Sequence, residues 1–371
     1  MERAGADACL ITSNVNLFYT IGQIVMGYLY IPLQGNPILF VRRPEGLSSD
    51  SIVYVRKPEQ MIGEMKLRGL SIPERIMLEG DYLSHSEWLR YGAIFQTSEL
   101  IDGTQAIRGA RSIKTAAELE LIRYSGVKHA SVYKRIPELY RTGMSDLELS
   151  IEIEYELRKA GSLGIFRVFG QSMEIFMGSI LSGDNAGEPS PYDFALGGKG
   201  MHPSIPIGAD GSILKKGTSL MVDMGGNFNG YMTDMTRTYS IGKLPDKAYR
   251  AHQAALEIQD DFASKAKPGT ICEDIYNQAM DIARKNGLDN CFMGVKQQAK
   301  FIGHGVGIEI NELPVLGVRS RTALEAGMVL AVEPKFVIEG VGAVGIENTF
   351  AITGTGTEKL TILEESIIDL E

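Results

Sequence analysis

Cysteine is scarce: Cys9, Cys272 and Cys291 are the only three in 371 residues. They are odd in number and far apart, and no two have the spacing of a zinc site. That argues against a disulfide framework or a cysteine-bound metal and points to a reducing cytoplasm. There is no apolar run of about 18 residues, so no helical membrane span is expected. The chain does not open with a basic start followed by an apolar core, which argues against a secretion signal. "MERAGADACL" reads instead as the end of a helix running into a strand. The net charge is −9 with no basic block to offset it, which argues against nucleic acid as a partner.

What is present suits a globular protein, with 44% hydrophobic and 22% charged residues. The length exceeds that of one ordinary core and implies two domains. Up to residue 111 short apolar runs alternate with turns, as in "ACLITS", "YLYIPLQGNPILFVRR" and "SIVYVRK". "EQMIGEMKLRG" and "SHSEWLRYGAIF" have helical spacing between them, so 1–111 reads as a small α/β domain.

From 112 to 371 the character changes. Thr115 with Glu118, Ser145 with Glu148 and Thr270 with Glu273 have the spacing of capping boxes. They predict helices at about 115–140, 145–159 and 271–286, with another at 246–264. "RTGMSDLELSIEIEYELRKAG" (141–161) and "KPGTICEDIYNQAMDIARKNG" (267–287) match in length, in an early glycine and in a basic pair before a closing glycine. Either amphipathic helices simply look alike, or this region is an internal duplication of two α+β halves.

The acids favour duplication. "SLMVDMGGNFNGYMTDMTRTYSIG" reads as a hairpin with Asp223 inside an apolar strand, where a carboxylate is costly unless paired or metal-bound. A turn centred between Phe228 and Asn229 sets Asp223 opposite Asp234, with Cβ atoms roughly 4.5–5.5 Å apart. "GMVLAVEPKFVIEGVGAVGIENTFAIT" reads as a second hairpin, with Glu333 and Glu347 equidistant from Gly340. His202 precedes the first acidic pair and His304 the second. Taken singly, each residue has a bland reading as a strand end, a salt bridge or a satisfied core group. Four acids at matched hairpin positions need a cation instead.

Four carboxylates and one imidazole are too oxygen-rich for a tetrahedral structural zinc. They suit two divalent ions roughly 3.5–4 Å apart, with manganese first and cobalt, iron or catalytic zinc compatible. Glycines 303, 305 and 307 would let the backbone around His304 pass close to metal and substrate.

"VDMGGNFNGYMTDMTRTYSIG", "GHGVGIEINELP", "GMVLAVEPKF" and "GIENTF" resemble the successive motifs of the pita-bread dinuclear metallopeptidases. More narrowly they are similar to the proline-specific branch, Xaa-Pro dipeptidase (prolidase) and aminopeptidase P. "DACLITSNVNLFYTIG" resembles the creatinase-type N-terminal domain, and "RSIKTAAELELIR" the start of the catalytic domain. The resemblance implies an α+β fold, a small α/β creatinase-like domain followed by a duplicated pita-bread catalytic domain. It implies that Asp234 and Glu347 bridge two metal ions, that Asp223 completes one, and that His304 with Glu333 completes the other. His202 matches the histidine that contacts substrate and stabilises the tetrahedral intermediate. The expected reaction is hydrolysis of Xaa-Pro bonds in dipeptides or short peptides by a metal-bridging hydroxide, with Glu333 as proton shuttle. A cytoplasmic homodimer is implied as well.

Three positions depart from the pattern. Asn311 stands where the branch has a second, substrate-contacting histidine ("GHGIGLEVHE"). Gly345 stands where many members have arginine ("VRIED"), and "EPGIY" has become "EPKFV". Asparagine still donates and accepts hydrogen bonds, so Asn311 remains a substrate-binding candidate, but it cannot gain a proton near neutral pH. These departures motivate a second reading, the same metals acting on a non-proline amide or another small metabolite, by hydrolysis or as a lyase. A third reading, a non-catalytic binding module, fits poorly with five retained ligand types.

Overall fold

The computed structural model describes every residue except Gln171, Ser172 and Glu174. It divides into two compact units, Met1–Arg111 and Ser112–Glu371.

In the first unit, strands β1 (Ala8–Ile11), β2 (Met26–Pro32), β3 (Ile38–Arg43), β4 (Ile52–Tyr54), β5 (Arg75–Leu78) and β6 (Glu99–Asp102) form one mixed sheet ordered β4-β3-β2-β1-β5-β6. Its helices are α1 (Asn14–Ile21), α2 (Met61–Leu67), α3 (His85–Ile94) and α4 (Thr104–Ser112). The buried Glu79 accepts from the Ser13 N–H at 2.9 Å and from Asn16 Nδ2 at 2.6 Å, tying the end of β5 to the start of α1. A capping box at Ser84 and Glu87 starts α3.

The second unit runs α5 (Ala116–Tyr133), α6 (Ile136–Leu139), α7 (Asp146–Lys159), then β7 (Gly178–Ser182), β8 (Ser219–Asn227) and β9 (Met232–Ser240). It continues with α8 (Asp246–Lys265), α9 (Cys272–Lys285), β10 (Phe301–Gly305), β11 (Glu312–Gly317), β12 (Val329–Val332), β13 (Lys335–Ile338), β14 (Gly342–Gly345), β15 (Asn348–Ile352), β16 (Thr357–Lys359) and β17 (Ile368–Asp369). Helix pairs precede antiparallel trios in both halves, β7-β8-β9 in one and β10-β12-β15 in the other.

Two predicted capping boxes form, at Thr115–Glu118 and Ser145–Glu148. The helix expected over 115–140 is broken after Tyr133, because Pro137 lacks the N–H a continuous helix would use. The third box does not form. Ile271 caps α9, while Glu273 accepts from the Arg319 N–H and pairs with Arg321, both at 2.9 Å.

The first hairpin is displaced from its expected register. Asp223 pairs with Thr236, and Asp234 pairs with Gly225, so the turn is centred one residue later than read from sequence. A shift of two in pairing keeps both aspartates on one face as diagonal neighbours. The second hairpin is centred on Gly340 as read, since Lys335 pairs with Gly345 and Val332 with Asn348. Glu333 and Glu347 lie in the gap between those two ladders. Pro334, which cannot donate, sits in that gap.

Candidate metal centre

The gap brings the halves together. Thr236 of β9 and Glu347 exchange backbone hydrogen bonds of 3.3 and 3.2 Å, so the strand carrying Asp234 docks where the second ladder is open. Asp223, Asp234, Glu333 and Glu347 therefore meet along one seam, with His304 on β10 beside them. His304 Nε2 lies 3.6 Å from Glu333 Oε1 and 3.9 Å from Asp234 Oδ2. Its Nδ1 is 3.1 Å from the Gly305 carbonyl, which assigns the proton to Nδ1 and turns the Nε2 lone pair toward the acids.

Two triads have ligand atoms within 4.8 Å of one another, Asp234–His304–Glu347 and Asp223–Glu333–Glu347. The first suits a divalent cation. Burial and the facing Asp223 push the Asp234 carboxyl up to about 7, and burial with Asp234 raises Glu347 well above the usual range. Glu347 Oε2 accepts from Thr236 Oγ1 at 2.7 Å, whereas its buried Oε1 has no hydrogen-bond partner among the described residues. A buried carboxylate oxygen left bare beside an imidazole lone pair is a place for a cation.

The second triad already surrounds one. Lys335 Nζ lies 2.8 Å from Asp223 Oδ2, 2.6 Å from Glu333 Oε2 and 3.4 Å from Glu347 Oε2, with its side chain 0% exposed. Burial works against its charge, but these three carboxylates outweigh it and hold the amine well above its ordinary pKa.

Surrounding groups fix the ligands. Thr349 Oγ1 accepts from the Asp234 N–H and donates to the Asp234 carbonyl, both at 2.8 Å. The buried Arg237 donates to the Glu347 and Thr236 carbonyls at 2.9 and 2.8 Å and to Asn348 Oδ1 at 2.9 Å. Lys114 pairs with Glu312 at 2.9 Å, and Glu312 accepts from the N–H groups of Ile308 and Glu309, fixing the loop after His304.

The acids open into a pocket whose apolar wall includes Phe166, Ile175, Phe194, Ile207 and Ile310. Asn311 is also in the wall, but its carboxamide is engaged. Oδ1 accepts from the Phe169 N–H at 2.7 Å and Nδ2 donates to the Phe169 carbonyl at 3.0 Å. The Ile310 N–H donates to the Arg167 carbonyl at 2.8 Å, so Asn311 completes a strap holding the segment that presents Phe166.

His202 is not brought to the other site residues. It is exposed on the connection between β7 and β8, outside the described pocket wall, with Nδ1 2.8 Å from Ser204 Oγ. The strand equivalent to β10 in the first half is β7, and it carries no histidine. The glycines beside His304 also have another cause than the one expected. A Cβ at Gly303 would lie 2.2 Å from the Ala331 carbonyl oxygen, and one at Gly307 2.5 Å from the Glu312 carboxylate. They admit neighbouring strands and a buried acid rather than metal or substrate. The sequence left open whether Lys335 or Arg237 enters the site, although strand alternation puts Lys335 on the face of Glu333.

Carboxylates and an imidazole gathered at the foot of a pocket form a candidate metal centre. Residues 120–354 match metallopeptidase family M24, and residues 1–113 match the creatinase/prolidase N-terminal domain. The chain belongs to metallopeptidase family M24. It is 26% identical to the Xaa-Pro dipeptidase of Pyrococcus furiosus, with 99% of this chain and 97% of that one covered. The solved prolidase from Pyrococcus furiosus matches with a TM-score of 0.77 and 25% identity, covering 98% of each chain. The X-Pro aminopeptidase structure from Thermotoga maritima shares the fold, with a TM-score of 0.81 at 23% identity over 99% of each chain.

Proposed function

We propose that this metallopeptidase hydrolyses Xaa-Pro bonds in dipeptides or short peptides. The observation that carries the reading is the convergence of Asp234, His304, Glu333 and Glu347 beneath an apolar pocket, in a chain similar along its length to Xaa-Pro dipeptidases. Asp234, His304 and Glu347 would hold a divalent ion, which would supply Lewis acidity at the scissile carbonyl and lower the pKa of water. Glu333, between His304 and Lys335, is the group placed to take the proton of the attacking water and pass it to the leaving nitrogen. The C–N bond then breaks to give a carboxylate and a free amine. The pocket's aromatic and aliphatic wall suits a proline ring and keeps bulk water from the reacting carbon. His202 has no step in this scheme.

Manganese is the proposed ion, in keeping with the oxygen-rich donor set. The resemblance to the proline-specific branch supports a homodimer, and three free, buried cysteines suit a reducing cytoplasm. The family pattern implies two ions, and Lys335 bears on the second. The engagement of Asn311 by the Phe169 backbone supports a second reading, a non-proline amide or small metabolite taken in the same pocket. The test compares Ala-Pro, Ala-Pro-Ala and Ala-Ala as substrates of the manganese-loaded protein, with Asp234→Ala as the blank. Metal-dependent cleavage of the proline peptides alone supports the proposal, and dipeptide against tripeptide separates dipeptidase from aminopeptidase. No cleavage of any peptide by metal-bound protein overturns it.

A further inference from the structure

We propose that the centre takes a single divalent ion, at Asp234, His304 and Glu347, and that the Lys335 ammonium holds the position of a second cation among Asp223, Glu333 and Glu347. The inference rests on the metal-dependent reading above and departs from the two ions that the family pattern implies.

The first argument is spatial. Nζ hydrogen-bonds Asp223 Oδ2 and Glu333 Oε2 at 2.8 and 2.6 Å, with Glu347 Oε2 at 3.4 Å. A transition-metal ion would need those same oxygens at roughly 2.0–2.2 Å, inside the volume the amine fills. The glutamates divide their oxygens accordingly. Glu333 Oε2 and Glu347 Oε2 face Lys335, while Glu333 Oε1 faces His304 and Glu347 Oε1 has no hydrogen-bond partner among the described residues. One cation position is thus supplied by the chain, and the other lacks one.

The second argument is charge. Two divalent ions together with an ammonium would set five positive charges against four carboxylates. One ion with the ammonium leaves the cluster near balance, as a buried site requires. Lys335 also has nowhere else to go. Its side chain is fully buried, every ion-pair partner found for it is one of these acids, and withdrawing it would strand a buried ammonium.

The third argument is in the backbone. Lys335 pairs across the hairpin with Gly345, so the altered "EPKFV" and "VGIEN" motifs fall on one cross-strand pair. A Cβ at Gly345 would lie 2.4 Å from the Pro334 carbonyl oxygen, 2.8 Å from Lys335 Cα and 3.2 Å from Lys335 Cγ. Glycine at 345 therefore lets β14 lie close against the backbone of Pro334 and Lys335 and the root of the lysine side chain. The two departures are one local exchange, a cation gained on β13 opposite a side chain lost from β14.

The test is metal content and spectroscopy of the full chain, independent of turnover. After saturation with Mn2+ and removal of free ion, one manganese per chain and the spectrum of an isolated Mn(II) ion are expected. Two ions per chain with an exchange-coupled spectrum overturn the inference and leave the hydrolase proposal standing. No bound manganese, cobalt, iron or zinc sinks both. Lys335→Gly, which restores the resembling motif, and Lys335→Met, which keeps bulk without charge, should each raise the count from one to two and introduce coupling. A cooperative melt shows which variant is folded, and a folded variant that still holds one ion removes Lys335 from the explanation.

Discussion

The two halves of Ser112–Glu371 share a plan of paired helices and an antiparallel trio, yet they bring different chemistry to the seam. In the first half β8 and β9 form an unbroken ladder of nine residues each, and its two aspartates project as ordinary strand residues. In the second half the ladder stops at Glu333 and Pro334 and resumes at Lys335, so two glutamates sit where backbone pairing is open. That opening is what Thr236 enters. A regular hairpin can present acids on a face, but an interrupted one can also receive its twin and bury the charges between them. The halves differ in their histidines too. His304 turns a free Nε2 toward the acids, whereas His129 is fully buried behind β9, with Nδ1 3.1 Å from Thr233 Oγ1.

The contrast is broken most severely at the gap itself. Glu333→Gln keeps the shape of the residue but removes its capacity to move a proton, so kcat should fall by about 10²–10⁴-fold at a KM little changed. Steady-state kinetics on the best peptide checks this, and a fall below tenfold would take the proton shuttle away from Glu333.

The buried histidine of the first half can be read by acid. Burial, helped by Arg237, depresses His129 to about 3, well below its ordinary 6.5. A depressed pKa contributes stability that is complete above about 6.5 and is lost as pH falls toward 3. His129→Gln retains a partner for Thr233 but cannot gain a proton. Between pH 7 and 4.5 the wild type should lose on the order of 2–3 kcal/mol more than the variant, read by denaturant unfolding. Equal losses would place the acid sensitivity elsewhere.

A smaller effect is expected at the pocket wall. Asn311→Ala removes its two hydrogen bonds to the Phe169 backbone, at about 1–2 kcal/mol, and should raise KM roughly tenfold while kcat changes little. A fall in kcat with KM unchanged would mean that Asn311 acts on the reacting bond rather than through the strap.

Much of this was legible because strand periodicity and hairpin symmetry are local. The register about Gly340 followed from counting residues, and the placing of Glu333 and Glu347 equidistant from it came with that count. Local counting failed where tertiary contacts decide. The tight "NFNG" turn allowed two centres one residue apart, and Thr270 and Glu273 were drawn off to Lys267 and to Arg319 with Arg321. The place of Lys335 stayed open for a similar reason. A lysine after Glu-Pro reads as a solvated strand end until the opposing glycine and the partner hairpin enclose it.

His202 makes the sharpest use of the comparison, because order along the chain and position in space disagree there. In order it stands to Asp223 as His304 stands to Glu333. In space His304 lies on a central strand paired to β12, while His202 lies exposed on a loop and bonds Ser204. If chain order reflected function, His202→Ala would lose a donor to the tetrahedral intermediate, about 10²–10³-fold in kcat. The geometry gives the other answer, a change within about twofold in kcat/KM and little change in melting, as for an exposed side chain outside a network. A loss on the larger scale would mean that the β7–β8 connection folds over the pocket when substrate binds, and the halves would then each supply a histidine after all.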